Sequence, residues 1–399
     1  MFGDWFNLIA SASLIGLLTT SGTAVGAVFV VRMLAPFLVS PIAGVIADRY
    51  SRKHIMIVID LCRAMVVLGF LQVRDPGDVW LFYTLTVIQL GLSGFFVPAR
   101  NAILPELVPP AHLGVASSLS SATYAVMQSI GAALGGVVAG AWGTQVTFLI
   151  DALSFLVSAT LCSRIIIFHA EPILDASERP LATALRQYAD GLIYLRQHLD
   201  VLFIALHKGV NALFITGGLN VLQVIIASQY FPLGQAGGIS IGLIFGATGV
   251  GTAIGPLVAR WLTGDDERAL RRSLVVCYLV SAVGLGVTAL MPNLGVVLLG
   301  MFIRGIGGGI MWVSSTQLLM QQIPNQVRGR VFSTEYAMRT LMNALGTIAF
   351  SLVAGRLLHV SNMMWVTAGL ALIPAALWAF WMLAHRERAE VVGGSRTKV

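Results

Sequence analysis

The sequence predicts an all-α membrane protein of about twelve spanning helices, arranged as two six-helix bundles. Three observations predict it. Hydrophobic residues make up 57% of the 399 positions and charged residues 11%, so most of the chain must face something other than water. The charges are gathered into short clusters between long apolar runs, a segregation that a large soluble core would not require. The halves also match each other. Pro41 and Pro256 each precede a helix end and stand 215 residues apart, and Glu106-Leu-Val-Pro109-Pro-Ala-His-Leu-Gly114 aligns with Gln321-Gln-Ile-Pro324-Asn-Gln-Val-Arg-Gly329 at the same offset.

A spanning helix needs about 20 apolar residues. Runs of that kind fall at 2–20, 24–46, 55–73, 79–99, 115–140 and 145–168, then at 201–229, 239–263, 273–291, 294–322, 331–358 and 362–384. The predicted organisation is a first bundle over 1–168, a linker over 169–200, a second bundle over 201–385 and a tail over 386–399. The first run carries Asp4 and no cleavable signal, so it stays as a membrane anchor. The second carries Arg32 and leads into Gly44-Val-Ile-Ala-Asp48-Arg49-Tyr-Ser-Arg52-Lys53. A turn this rich in charge cannot lie in lipid and must join two spans at one face. The third run contains Asp60 and Arg63, the fifth Gly131, Gly135 and Gly136, and the sixth Asp151. In the linker, Leu181, Leu185, Tyr188, Leu192 and Leu195 recur at spacings of three and four, which predicts an amphipathic helix along the membrane surface. In the second half, Lys208 lies in the first span. Arg304 precedes Gly305-Ile-Gly307-Gly308-Gly309, and Glu335 and Arg339 share the next span.

The net charge of +7 reads as topology. Of the 25 Lys and Arg, 18 fall on one face, only Arg74 and Arg356 on the other, and five within or at the edge of spans. By the positive-inside rule the rich face is cytoplasmic, with both termini there. Nucleic acid is not an expected partner, because no basic patch is interleaved with aromatic residues. Cys62, Cys162 and Cys277 lie far apart in apolar segments and read as packing residues. Nothing fits the phosphate-cradling Gly-x-x-x-x-Gly-Lys-Ser/Thr loop, which argues against ATP drive within this chain. No His, Cys or carboxylate cluster suggests a metal, so no cofactor is expected and a proton gradient is the expected energy source.

A charge at the bilayer centre costs roughly 2.5–3.5 kcal/mol or more, so each normally faces a cavity or a partner. Asp60 and Arg63 stand three apart, Glu335 and Arg339 four apart, and each pair can meet on one helix face. Arg32, Asp151 and Arg304 have no such neighbour. The expectation is that Asp4 or Asp151 takes up and releases a proton, while Arg32 or Arg304 tunes it or contacts substrate. The competing reading is a buried ion pair that only holds helices in register. Phe6, Phe29, Phe37, Phe95, Phe96, Phe214 and Trp312 either line a substrate cavity or face lipid.

The pattern Gly44-x-x-x-Asp48-Arg49-x-x-Arg52-Lys53 resembles the signature loop between helices 2 and 3 of major facilitator superfamily transporters. Gly3-Asp4-Trp5-Phe6, Asp60-Leu-Cys-Arg63-Ala and Leu104-Pro-Glu-Leu-Val-Pro109-Pro are similar to motifs of its macrolide-efflux and enterobactin-exporter-like branch. The resemblance implies two bundles related by a pseudo-two-fold axis and alternating access to a central cavity. It implies Gly44, Asp48, Arg49, Arg52 and Lys53 as a gating loop, and proton-coupled export of an amphipathic drug, macrolide or siderophore from the bacterial inner membrane by a monomer. Gly131-Ala-Ala-Leu-Gly135-Gly136 is similar to the second half of the exporters' antiporter motif, with Ala132 where that motif has proline. In the branch, about twenty residues precede the Gly-Asp-Trp-Phe motif where two do here, so either the start lies upstream or helix 1 is short. A lysophospholipid or other lipid transporter of the same fold, and a non-transporting membrane scaffold or sensor, are the alternatives.

Overall fold

A computed structural model describes residues 2–19, 22–109, 113–166, 180–264, 266–353 and 359–394. The first part of the linker, the centre of the Pro109 repeat segment, Asp265, Arg356 and the end of the tail lie outside the described residues. The described chain is helical throughout its spans and has no strand.

The first half is built from α1 (Phe2–Leu18), α2 (Gly22–Arg49), α3 (Arg52–Gly69), α4 (Val79–Leu107) and α5 (Leu113–Ser163). The last contains two spans. Gly143, at φ 86° and ψ 167°, interrupts the helix with a backbone conformation that only glycine adopts cheaply. The second half follows α6 (Pro180–Gln197), the amphipathic linker helix. It begins with α7 (Leu199–Asn211) and α8 (Gly217–Ile225), which form one span with π turns at Ala212–Thr216 and Ile226–Tyr230. It continues through α9 (Gly238–Thr263), α10 (Glu267–Leu290), α11 (Leu294–Gln322), α12 (Asn325–Val353) and α13 (Val360–Gly394). With α5 counted as two arms and α7–α8 as one, six helical segments among the described residues thus precede α6 and six follow it. Eight of the helical segments are long and apolar enough to cross a membrane, and Gly3–Leu18 and Thr23–Val39 are shorter apolar helices.

The turns are set by local chemistry. The Asp266 carboxylate accepts from Ala269 N (2.7 Å) and starts α10, and the Asn293 side chain accepts from Val296 N (3.0 Å) and starts α11. Both are ordinary N-caps, satisfying donors that a helix start leaves unpaired. Between α3 and α4, Asp75 and Asp78 cap each other reciprocally.

Outward surfaces are apolar. On α12, Leu341, Leu345, Ile348 and Leu352 are exposed along one side, while Asn343 and Thr347 on the other are buried. Hydrocarbon is the only solvent that suits such an exposed stripe.

The two halves meet through α5 with α9 and α2 with α12. Call the end that bears Arg52, Arg164 and Asp266 the basic end. At the opposite end, α5 and α9 touch backbone to backbone. A side chain on Gly136 would collide with Gly242 N and Cα, and one on Gly140 with Ile239. At the same end, Gly26 of α2 faces Ser351 of α12. Small residues are what permit such approach between membrane helices. Towards the basic end, α6 touches both α2 and α12, whereas α4 and α11 are not among the packed pairs of the described residues. The bundle pair is therefore drawn together at the opposite end and spanned by α6 at the basic end.

Candidate functional site

The first half encloses a cluster of ionisable groups between α1, α3 and the second arm of α5. These helices are aligned by three contacts. Lys53 Nζ donates to Ile165 O at 2.9 Å, the Arg63 guanidinium lies 4.1 Å from the Phe155 ring centre, and Phe70 stacks on Phe148. On α3, Arg63 is 11 residues from the Arg52 end, about 16 Å along the axis and so near mid-membrane.

Arg63 donates to the Asp4 carboxylate on α1. The Arg63 side chain is 2% exposed and that of Asp4 29%. Arg32, from α2, donates to the backbone carbonyl of Asp4 at 3.2 Å. Asp151 is fully buried, and neither of its carboxylate oxygens has a hydrogen-bond partner. It faces α1 directly, because a side chain on Gly3 would collide with Asp151 Oδ1 and Ser154 Oγ. Asn7, one turn along α1 from Asp4, is 1% exposed and its Nδ2 has no partner. The cluster therefore holds one carboxylate fixed by arginine and one buried carboxyl group that has Asn7 and Arg63 as its polar neighbours, within the same helix junction.

The expected ion pair between Asp60 and Arg63 gives way here. Arg63 turns to Asp4 across the helix interface, and Asp60, 1% exposed, keeps Oδ2 without a hydrogen bond. The expected Glu335–Arg339 pair gives way in the same manner. Glu335 pairs with Lys208 of α7 at 2.8 Å, both side chains 5% exposed. Arg339 instead lies over the Trp312 and Tyr336 rings, 5.6 and 5.0 Å from their centres. The physical reason is common to both. A partner on a facing helix is reached through the bundle interior, where Coulomb attraction is less screened than along a helix surface. Lys208 also donates to Thr316 Oγ1 (2.8 Å) and sits 4.6 Å from the Trp312 ring centre. Arg304 donates to Thr216 Oγ1 (3.0 Å) in the first π turn, and its Nε is buried without a partner.

The gating-loop residues occupy the end of α2 and the start of α3. The side chains of Gly44, Asp48 and Arg49 lie outside those described. Lys53 is tied to Ile165 within its own bundle, so its bond does not cross between the halves. In α5, Gly131, Gly135 and Gly136 are all buried. Gly135 lies against Phe6 of α1, and Gly136 against α9 of the other half. The sequence reading missed Asn7, Thr216 and Thr316. Asn7 had a signal, a polar residue three positions from Asp4 on the same apolar helix.

Two lipid-facing bundles, meeting at one end and holding ionisable groups inside, define a multi-span membrane transporter. A sequence profile of the Major Facilitator Superfamily matches residues 1–347 and, in an overlapping match, 213–398. The chain belongs to that superfamily. It is 26% identical over 356 residues to the uncharacterised MFS-type transporter YfiS of Bacillus subtilis (strain 168), covering 86% of this chain and 81% of YfiS. It is 28% identical over 327 residues to macrolide efflux protein A of Streptococcus pyogenes, covering 79% and 77%. A crystal structure of a D-xylose–proton symporter has the same fold, with a TM-score of 0.70 at 14% identity and 94% of each chain covered.

Proposed function

We propose that the protein exports an amphipathic small molecule across a bacterial inner membrane by proton-coupled alternating access, with both termini cytoplasmic. The basic end is then the cytoplasmic face, as the positive-inside rule requires, and the α5–α9 contact closes the outer face. The observation that carries the coupling is the junction of Asp4, Arg63 and Asp151. Asp151 is the proton carrier. The Arg63–Asp4 bond fixes the geometry beside it, and a change in that bond as α1 and α3 move alters the field at Asp151. The likeness to macrolide efflux protein A supports the outward direction.

The test is substrate-induced proton movement in acid-loaded proteoliposomes, using erythromycin as the first probe and a panel of amphiphiles after it. The expected result is proton movement that depends on substrate and vanishes in Asp151→Asn, while substrate exchange without a gradient persists. Proton movement of wild-type size in Asp151→Asn would overturn the coupling assignment.

A further inference from the structure

The interior wall of the second bundle carries cations in excess of acids, at a place that opens away from lipid. On α12, Tyr336 shares its helix face with buried Asn343 and Thr347, on the side opposite the lipid-facing Leu341, Leu345, Ile348 and Leu352. Tyr336 is nonetheless 47% exposed, so its exposure opens into the protein interior. Trp312 is 48% exposed on α11, between the stripe packed on α9 (Gly305, Gly309) and Arg304, which reaches the α7–α8 span. These two rings hold the Arg339 guanidinium between them. Glu335 attracts Arg339 through space but forms its ion pair with Lys208, so the close contacts of the Arg339 guanidinium among the described residues are the two ring faces.

A second cation borders the same wall. Gly305, Gly307 and Gly309 are pressed against α9 or α10, but a side chain on Gly308 would come within 4 Å only of the Arg304 guanidinium. Open space therefore lies over Gly308, between Arg304 and Trp312, and buried Arg304 Nε has no partner. The eight residues from Arg304 to Trp312 span about 12 Å along α11, the length of a small amphiphile.

We propose that this wall is a subsite for an acidic amphiphile, whose anionic group is taken by Arg339 or Arg304 and whose planar apolar body lies against Trp312 and Tyr336. Planar guanidinium suits a carboxylate through paired N–H donors and stacks on aromatic faces, which an ammonium does not reproduce. The proposal rests on the transport reading but names a substrate class that reading leaves open.

The experiment is ligand-induced thermal stabilisation of the full chain in detergent, with three probes sharing one body: 1-naphthaleneacetate, its amide, and 1-naphthylmethylamine. Lysophosphatidylglycerol and lysophosphatidylcholine form a second, lipid arm. Stabilisation by the acid and not by the amine is expected, with apparent affinity falling roughly tenfold or more in Arg339→Gln and only partly restored in Arg339→Lys. Stabilisation by lysophosphatidylglycerol alone would assign the same anion chemistry to a lipid headgroup. Equal or stronger stabilisation by the amine, no response to any anion, or an acid response unchanged in Arg339→Gln would overturn the subsite. Arg271→Gln, altering a surface pair with Glu267, controls for general charge effects. Acid binding without any flux would sink the export reading and leave the subsite standing. Flux of neutral or cationic amphiphiles that is insensitive to Arg339→Gln would do the reverse.

Discussion

Gly136→Ala adds one methyl group where α5 meets α9, and the structure leaves no room for it. The new carbon would overlap the Gly242 backbone and crowd the Gly238 carbonyl oxygen, at 2.7 Å. These are main-chain atoms within helices, so relief requires the two helices to separate. Overpacking of this kind costs about 1–3 kcal/mol. The contact joins the two halves, so under the proposed alternating access it breaks in the other state, and the whole cost then falls on the conformer closed at this end. A bias of that size shifts the conformational equilibrium by roughly 5- to 150-fold. Spin labels at Trp142→Cys and Leu233→Cys report the shift by double electron–electron resonance. Both positions are exposed near the contact, and the half-buried Cys62 is replaced by Ser in the background. The expected outcome is a new, longer distance population in Gly136→Ala and slower transport. Gly369→Ala, with open space around the added carbon, should match the parent. Identical distance distributions in Gly136→Ala and the parent would refute the idea that this glycine contact is the closing surface.

Other outcomes follow from the two charge clusters and the topology. Glu335→Ala strands the Lys208 ammonium, 5% exposed, and should cost about 3–5 kcal/mol, as breaking a buried pair does. Lys208→Met combined with Glu335→Leu should recover most of that in detergent thermal unfolding, and simple additivity would contradict the pairing. Tyr83→Phe removes the 2.7 Å bond from the Tyr83 hydroxyl to Ala24 O and should destabilise by about 1 kcal/mol, read by the same unfolding measurement. Alkaline phosphatase fused after Met291, at the α10–α11 turn, should be active, and green fluorescent protein fused after Val399 should fluoresce. The opposite pair of signals would invert the assigned orientation.

The spans and their grouping were legible because hydrophobic length is a one-dimensional property, visible wherever about 20 apolar residues run together. Gly143 lay between two apolar runs, so the reversal within α5 was bracketed before its dihedral angles were known. Partners inside the bundles were not legible. The offsets of three from Asp60 to Arg63 and four from Glu335 to Arg339 are genuine helical neighbours, and that local signal masked the cross-helix partners Asp4 and Lys208. Which residues of α3 and α7 face another helix depends on how each helix is rotated in the bundle, and a nearly all-apolar span carries little amphipathic signal to fix that rotation. Gly136 was noticed as part of a motif, but its contact with Gly242 joins positions more than 100 residues apart.

The two π turns in the α7–α8 span have a consequence for how that span tolerates change. A π turn accommodates one residue more than the α turn it replaces, and one residue rotates everything beyond it by about 100°. Lys208, before Ala212–Thr216, is thereby aimed at Glu335, while Gly217 and Gly218, after it, abut α12 further along at Asn343 and Phe350. The span is in effect two helices of independent phase, each tuned to its own stretch of α12. Deleting one residue within 212–216 would heal the helix yet misalign the two stretches, so here an insertion is the feature that keeps both contacts in register.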